Sequence, residues 1–158
     1  MSVRNDGWAQ RGGIDRVLTL KSGKTVTVDE KVRYEEYNDI LLERWSNERE
    51  RVPGWVQKDL ACDYIAYAFV KSQRCYLLPF LQLRKAWLSS GREWIKKYPR
   101  IAADNGSYIT TSIAVPIPIV FNAIQNAMKI VWAAKDDIES SWSDERAFSD
   151  LEQKRPPQ

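Results

Sequence analysis

Two alternating segments joined by a glycine turn, spanning residues 14–33, constrain this chain more than any other feature. Residues 14–20 read IDRVLTL, KSGK follows, and residues 25–33 read TVTVDEKVR. β-formers alternate with polar residues on both sides of a turn that Gly23 can make, which predicts a β-hairpin. Side chains alternate along a strand, so Asp29 and Lys31 share one face while Glu30 points to the other. The hairpin brings Asp15 within reach of that face, so two carboxylates and one lysine converge where two strands meet. The alternative is a surface hairpin whose charges merely face solvent. Against it, Asp and Lys are poor strand formers, and here they sit amid Ile and Val where a buried face is expected.

The chain contains no histidine. That removes histidine-based acid–base chemistry, Ser-His-Asp and Cys-His nucleophiles, and His-ligated zinc. Carboxylates, lysine, tyrosine or a metal held by oxygen remain, and Mg²⁺ or Mn²⁺ is the natural candidate. Asp15 and Asp29 can hold such a cation, with the backbone carbonyl of Glu30 as an extra ligand. Lys31 beside them can orient an attacking water and stabilise negative charge on a phosphate. This logic suits phosphodiester hydrolysis.

The pattern G-I-D, a turn, then V-D-E-K resembles the PD-(D/E)XK nuclease superfamily, the restriction-endonuclease-like fold. The motif covers about residues 13–33, and a looser architectural likeness extends to about residue 130. Matched position by position, Asp15 takes the place of the first acid, Asp29 the second and Lys31 the lysine. The resemblance implies an α/β fold with a mixed central β-sheet flanked by helices. It also implies Mg²⁺-dependent cleavage of DNA, and a setting among phage or mobile-element proteins. Family members carry a helix before the first acidic strand. Only residues 1–13 precede Ile14 here, so that helix is expected to be abbreviated. Glu43 is then the best candidate for an additional catalytic acid, its plainer reading being an exposed strand-edge charge.

Beyond the hairpin, residues 39–45 (DILLERW) read as a strand, a short helix being the alternative. Residues 46–54 read as a loop carrying Pro53-Gly54. DYIAYAFV (63–70) and CYLLPF (75–80) read as a pair of buried strands around the turn KSQR. Phe80, Leu83, Trp87, Leu88, Trp94 and Ile95 then fall at helical spacing, and Pro99 ends the helix. Residues 108–115 form a last strand, stopped by Pro116 and Pro118. A second helix follows, with Val120, Phe121, Ile124, Ala127, Met128, Val131 and Trp132 on its apolar stripe. Residues 1–135 are expected to form one nuclease-like domain, and residues 136–158 an acidic tail.

Net charge is +3, too small to argue for nucleic acid, but its distribution is uneven. Residues 61–100 carry eight basic against two acidic side chains, whereas residues 101–158 carry five against eight. Arg84, Lys85, Arg92, Lys96 and Lys97 lie on the polar face of the first helix. They are candidates for non-specific phosphate contacts, the bland alternative being a solvated face. Lys58, with Gln57, could touch a phosphate or a base, the favoured plain reading being a loop or helix face. Trp87, Trp94 and Trp132 read as core, while Trp8, Trp45 and Trp55 could stack on bases or pack a partner, with core packing the default. DNA is the expected partner, with a homodimer also open. The alternative is a nuclease-fold protein with a weak or inactive site, acting as a nucleic-acid-binding module, inhibitor or adaptor on a protein partner. The first residues lack the apolar stretch of a signal peptide, and Cys62 and Cys75 read as buried free thiols. Both point to a cytoplasmic protein.

Overall fold

The computed structural model describes residues 12–125 and 128–131. The first hairpin forms as expected: β1 (Arg16–Thr19) pairs antiparallel with β2 (Thr25–Arg33), with Gly23 at a φ of 81° in the turn. After β2 the chain departs for a second sheet before returning. It makes β3 (Asp39–Asn47) and a short β4 (Val52–Pro53), then β5 (Tyr64–Phe69), which lies beside β2 in parallel. Parallel neighbours need a crossover of a dozen or more residues, commonly a helix. Here the crossover is the β3–β4 hairpin, which makes one face of β2 an interior face.

β6 (Arg74–Pro79) pairs antiparallel with β5, and α1 (Phe80–Lys97) follows directly. α1 buries Phe80, Leu83, Ala86, Trp87 and Trp94, and Lys96 and Lys97 in its last turn complement the helix dipole. Leu88, expected on the buried stripe, is 71% exposed. β7 (Arg100–Asp104) pairs with β8 (Ile109–Pro116) around Asn105-Gly106, and α2 (Ile117–Ala123) starts with Pro118 in its first turn. β9 (Met128–Val131) closes the described chain.

The result is an α/β protein with two sheets rather than one central sheet. The mixed sheet has the order β1-β2-β5-β6-β9, and the second, antiparallel throughout, runs β4-β3-β8-β7. Ile40 and Leu42 of β3, with Ile113 and Val115 of β8, face Ile65, Tyr67 and Phe69 of β5 and Tyr76 and Leu78 of β6 in one core. Phe80, Leu83, Trp87 and Trp94 of α1 join it. Tyr67 ties the two sheets directly, its hydroxyl accepting a hydrogen bond from the Leu41 N–H at 3.0 Å. Among the described residues, no helix is long and apolar enough to cross a membrane.

Three elements depart from the sequence expectation. The loop expected over residues 46–54 is the end of β3, a turn and β4. β7 lies in a segment given no element. The second helix stops at Ala123 rather than continuing to Trp132, and Met128–Val131 pairs antiparallel with β6 instead. A stripe that is apolar at helical spacing also contains Met-Lys-Ile-Val, which ends in two β-branched residues. The open edge of β6 supplies the ladder that decides between them. Trp8, Ala127, Trp132 and the acidic segment 136–158 lie outside the described residues.

Candidate functional site

The register of the first hairpin ends with Arg16 opposite Val28, and Asp15 lies just before it, outside the regular ladder. The Asp15 N–H donates to the Val28 carbonyl at 2.9 Å, so Asp15 and Arg16 both face Val28 and the ladder ends in an irregular step. The Asp15 carboxylate in turn accepts the Glu30 N–H at 2.8 Å. The Asp15 and Asp29 carboxyls are neighbours that interact both through charge and through a side-chain hydrogen bond, an arrangement that is unfavourable when both are ionised. Asp29 is only 6% exposed, a rare degree of burial for an aspartate.

Lys31 stands two residues along β2 on the same face, and its ammonium ion-pairs with Asp29. Asp29 Oδ2 is cut off from solvent and faces the Lys31 ammonium. Burial pushes the Asp29 carboxyl above the usual aspartate range, Lys31 opposes that rise, and the neighbouring Asp15 adds to it. Glu30 points to the opposite face, as alternation requires, and its carboxylate pairs with Arg16. The three residues singled out from sequence thus converge on the interior side of β2.

Two further residues complete this environment, neither assigned to it from sequence. The Trp55 ring, buried, lies 5.9 Å from the Lys31 ammonium. It arrives there because β4 ends one residue before Gly54, and the crossover passes over β2. A Cβ on Gly54 would meet the Glu43 carbonyl oxygen at 2.0 Å, so only glycine permits this approach. Cys62, just before β5, is buried beside the pair. Burial and then the Asp29 charge push its thiol up to about 12, and the Asp29 backbone hydrogen-bonds to it. Asp63 next to it accepts the Thr27 N–H at 2.7 Å, which fixes this segment against β2. Pro53-Gly54 was the legible signal for Trp55; the place of Cys62 depends on parallel pairing that no local pattern reveals.

The remaining candidates are placed elsewhere. Glu43 lies on β3 in the second sheet, and its carboxylate accepts the Trp55 N–H at 3.2 Å. Lys58 is exposed in the segment after Trp55. Arg84 lies 3.4 Å from Asp59 in an ion pair, whereas Lys85, Arg92, Lys96 and Lys97 are exposed along α1. Lys97 lies 5.6 Å from the Tyr98 ring centre.

Among the described residues, no group of three His, Cys, Asp or Glu side chains is arranged to hold a metal ion. Asp15 and Asp29 offer two carboxylates, which suits Mg²⁺: this ion is commonly held by one or two carboxylates and keeps several waters. Two acids forced together, one of them buried, are also a pair whose repulsion a dication would relieve. No protein-family model matches this chain, and no curated protein or solved structure matches it.

Proposed function

We propose that this chain is a metal-dependent DNA endonuclease, a phosphodiester hydrolase of the PD-(D/E)XK, restriction-endonuclease-like type. The observation that carries the reading is the neighbouring pair of carboxyls Asp15 and Asp29, with Lys31 ion-paired to Asp29 on the same face of β2. Asp15, Asp29 and the Glu30 backbone carbonyl would hold Mg²⁺ or Mn²⁺. When bound, that ion supplies charge neutralisation at the phosphate and a more acidic water. Lys31 orients the attacking water and stabilises the charge that builds on the phosphate oxygens. Trp55 shields the Lys31–Asp29 pair from solvent, and Glu43 holds Trp55 in place through its backbone N–H.

A second reading is a protein that binds nucleic acid without cutting it. It is favoured by the Lys31–Asp29 ion pair, which neutralises one of the two acids in the absence of a cation. Incubation with plasmid and labelled oligonucleotides under Mg²⁺ and Mn²⁺ separates the two. Metal-dependent nicking supports the nuclease. Retention without nicking under either metal supports the binding module. Absence of both cutting and retention overturns both.

A further inference from the structure

We infer that the cleft on the β3–β4 hairpin is a binding site for the phosphate backbone of a nucleic acid strand. The inference rests on the nuclease reading and gives that site its substrate contacts. The cleft is open, with a volume of about 540 Å³, and is lined by Arg44, Trp45, Glu48, Arg49 and Arg51. Asp15, Asp29 and Lys31 do not line it.

Its charge is available rather than spent internally. Glu48 is the acid in the lining, and Arg100 engages both of its carboxylate oxygens from β7. Arg49 and Arg51 are exposed and form no ion pair among the described residues. The Arg44 guanidinium lies 5.3 Å from the Trp45 ring centre, which leaves a flat cationic and aromatic surface. Three guanidinium groups spaced along one hairpin suit a repeating anion better than a single one. An indole among them suits a ligand that alternates charge with flat rings.

The hairpin is built to hold these groups in place. The register of β3 against β8 shifts between Glu43 and Trp45, so Arg44 sits in a bulge. The Arg44 carbonyl accepts from the Gly54 N–H at 2.8 Å and from the Gln57 side chain. Arg51 adopts a φ of 54°, a left-handed conformation unusual for arginine, and its N–H donates to the Glu48 carbonyl at 3.2 Å.

The same hairpin connects the cleft to the candidate active site. Arg44 and Glu43 are anchored to Gly54 and Trp55, and the Trp55 ring lies beside Lys31. Arg51 and Trp55 are four residues apart, at most about 13 Å of extended chain. The arginines are therefore joined through the hairpin to the residue beside Lys31. The structure thus offers the β3–β4 hairpin, rather than the α1 face that the sequence suggested, as the phosphate track.

The test is oligonucleotide binding by fluorescence anisotropy in EDTA, over a salt series, with labelled single-stranded and duplex probes. Arg49→Gln/Arg51→Gln should weaken binding about tenfold and lower the salt slope by roughly one to two, as expected for two lost phosphate contacts. Lys96→Gln/Lys97→Gln should change it less than twofold. Unchanged affinity in the hairpin variant, loss in the α1 variant instead, or equally tight binding of polyglutamate would each overturn the inference. Because no metal is present, the result does not depend on cutting. A wild type that cuts while the hairpin variant binds normally removes only this inference. A hairpin-dependent binder that never cuts removes only the nuclease.

Discussion

The Lys31 ammonium is ion-paired to Asp29 and lies 5.9 Å from the centre of the buried Trp55 ring, so the lysine is held between a carboxylate and an aromatic face. Trp55 comes from the crossover that joins two parallel strands, and the two residues it covers come from the strand that precedes the crossover. The candidate site therefore exists only when β2, the β3–β4 hairpin and β5 have all docked. A double-mutant cycle with Asp29→Asn and Lys31→Met should give a coupling of about 1–3 kcal/mol in urea denaturation. Additive effects would mean that the pair is not formed in solution.

Gly54 is the tightest point of that crossover. Gly54→Ala should destabilise the fold by about 3 kcal/mol, because the new methyl group meets the backbone of Glu43 rather than a movable side chain. Gly23→Ala offers the contrast. Its turn is open and only the φ of 81° resists a side chain, so a cost of about 1 kcal/mol is expected. Equal effects in thermal or urea melts would show that the Glu43–Gly54 approach is looser than described.

The Tyr67 hydroxyl joins the sheets through the Leu41 N–H. Tyr67→Phe should cost about 1–3 kcal/mol, since it leaves a part-buried N–H without a partner while preserving ring packing. Hydrogen exchange at Leu41 should accelerate in this variant, and an unchanged rate would argue against the contact.

The hairpin carrying Asp15, Asp29 and Lys31 was readable because strand alternation is local: period two fixes the shared face whatever surrounds it. Asp15 was readable as part of the group because a short glycine turn leaves little freedom of register. What lay across from that face was not readable. Trp55 and Cys62 reach the site through the parallel pairing of β2 with β5, which joins residues more than thirty positions apart. β7 did carry a local signal, Asn105-Gly106, a dipeptide that favours hairpin turns. The Met128–Val131 segment failed for a different reason. Its residues fit a helix and a strand about equally, and the exposed edge of β6 settled the matter.

Both thiols should be poorly reactive in the native protein. Burial pushes Cys62 up to about 12 and Cys75 up to about 11. At pH 8 roughly one Cys75 in a thousand is then thiolate, against about a quarter for an ordinary cysteine. Reactivity should therefore rise with pH up to these values, with Cys75 ahead of the more deeply buried Cys62. Ellman titration at pH 8 should be slow for both thiols and become fast on denaturation. Rapid native labelling of Cys62 would mean that the segment beside Asp29 opens readily.

The central claim is that Asp29 and Lys31 perform phosphodiester hydrolysis together with Asp15. Single-turnover cleavage of a labelled DNA by wild type, Asp29→Asn and Lys31→Ala tests it most directly, with circular dichroism to verify that each variant is folded. The account predicts Mg²⁺- or Mn²⁺-dependent cutting by wild type, abolished by EDTA, and a loss of at least about a hundredfold in either folded variant. Cutting that persists in the variants, or a wild type that leaves DNA intact under both metals, would contradict it.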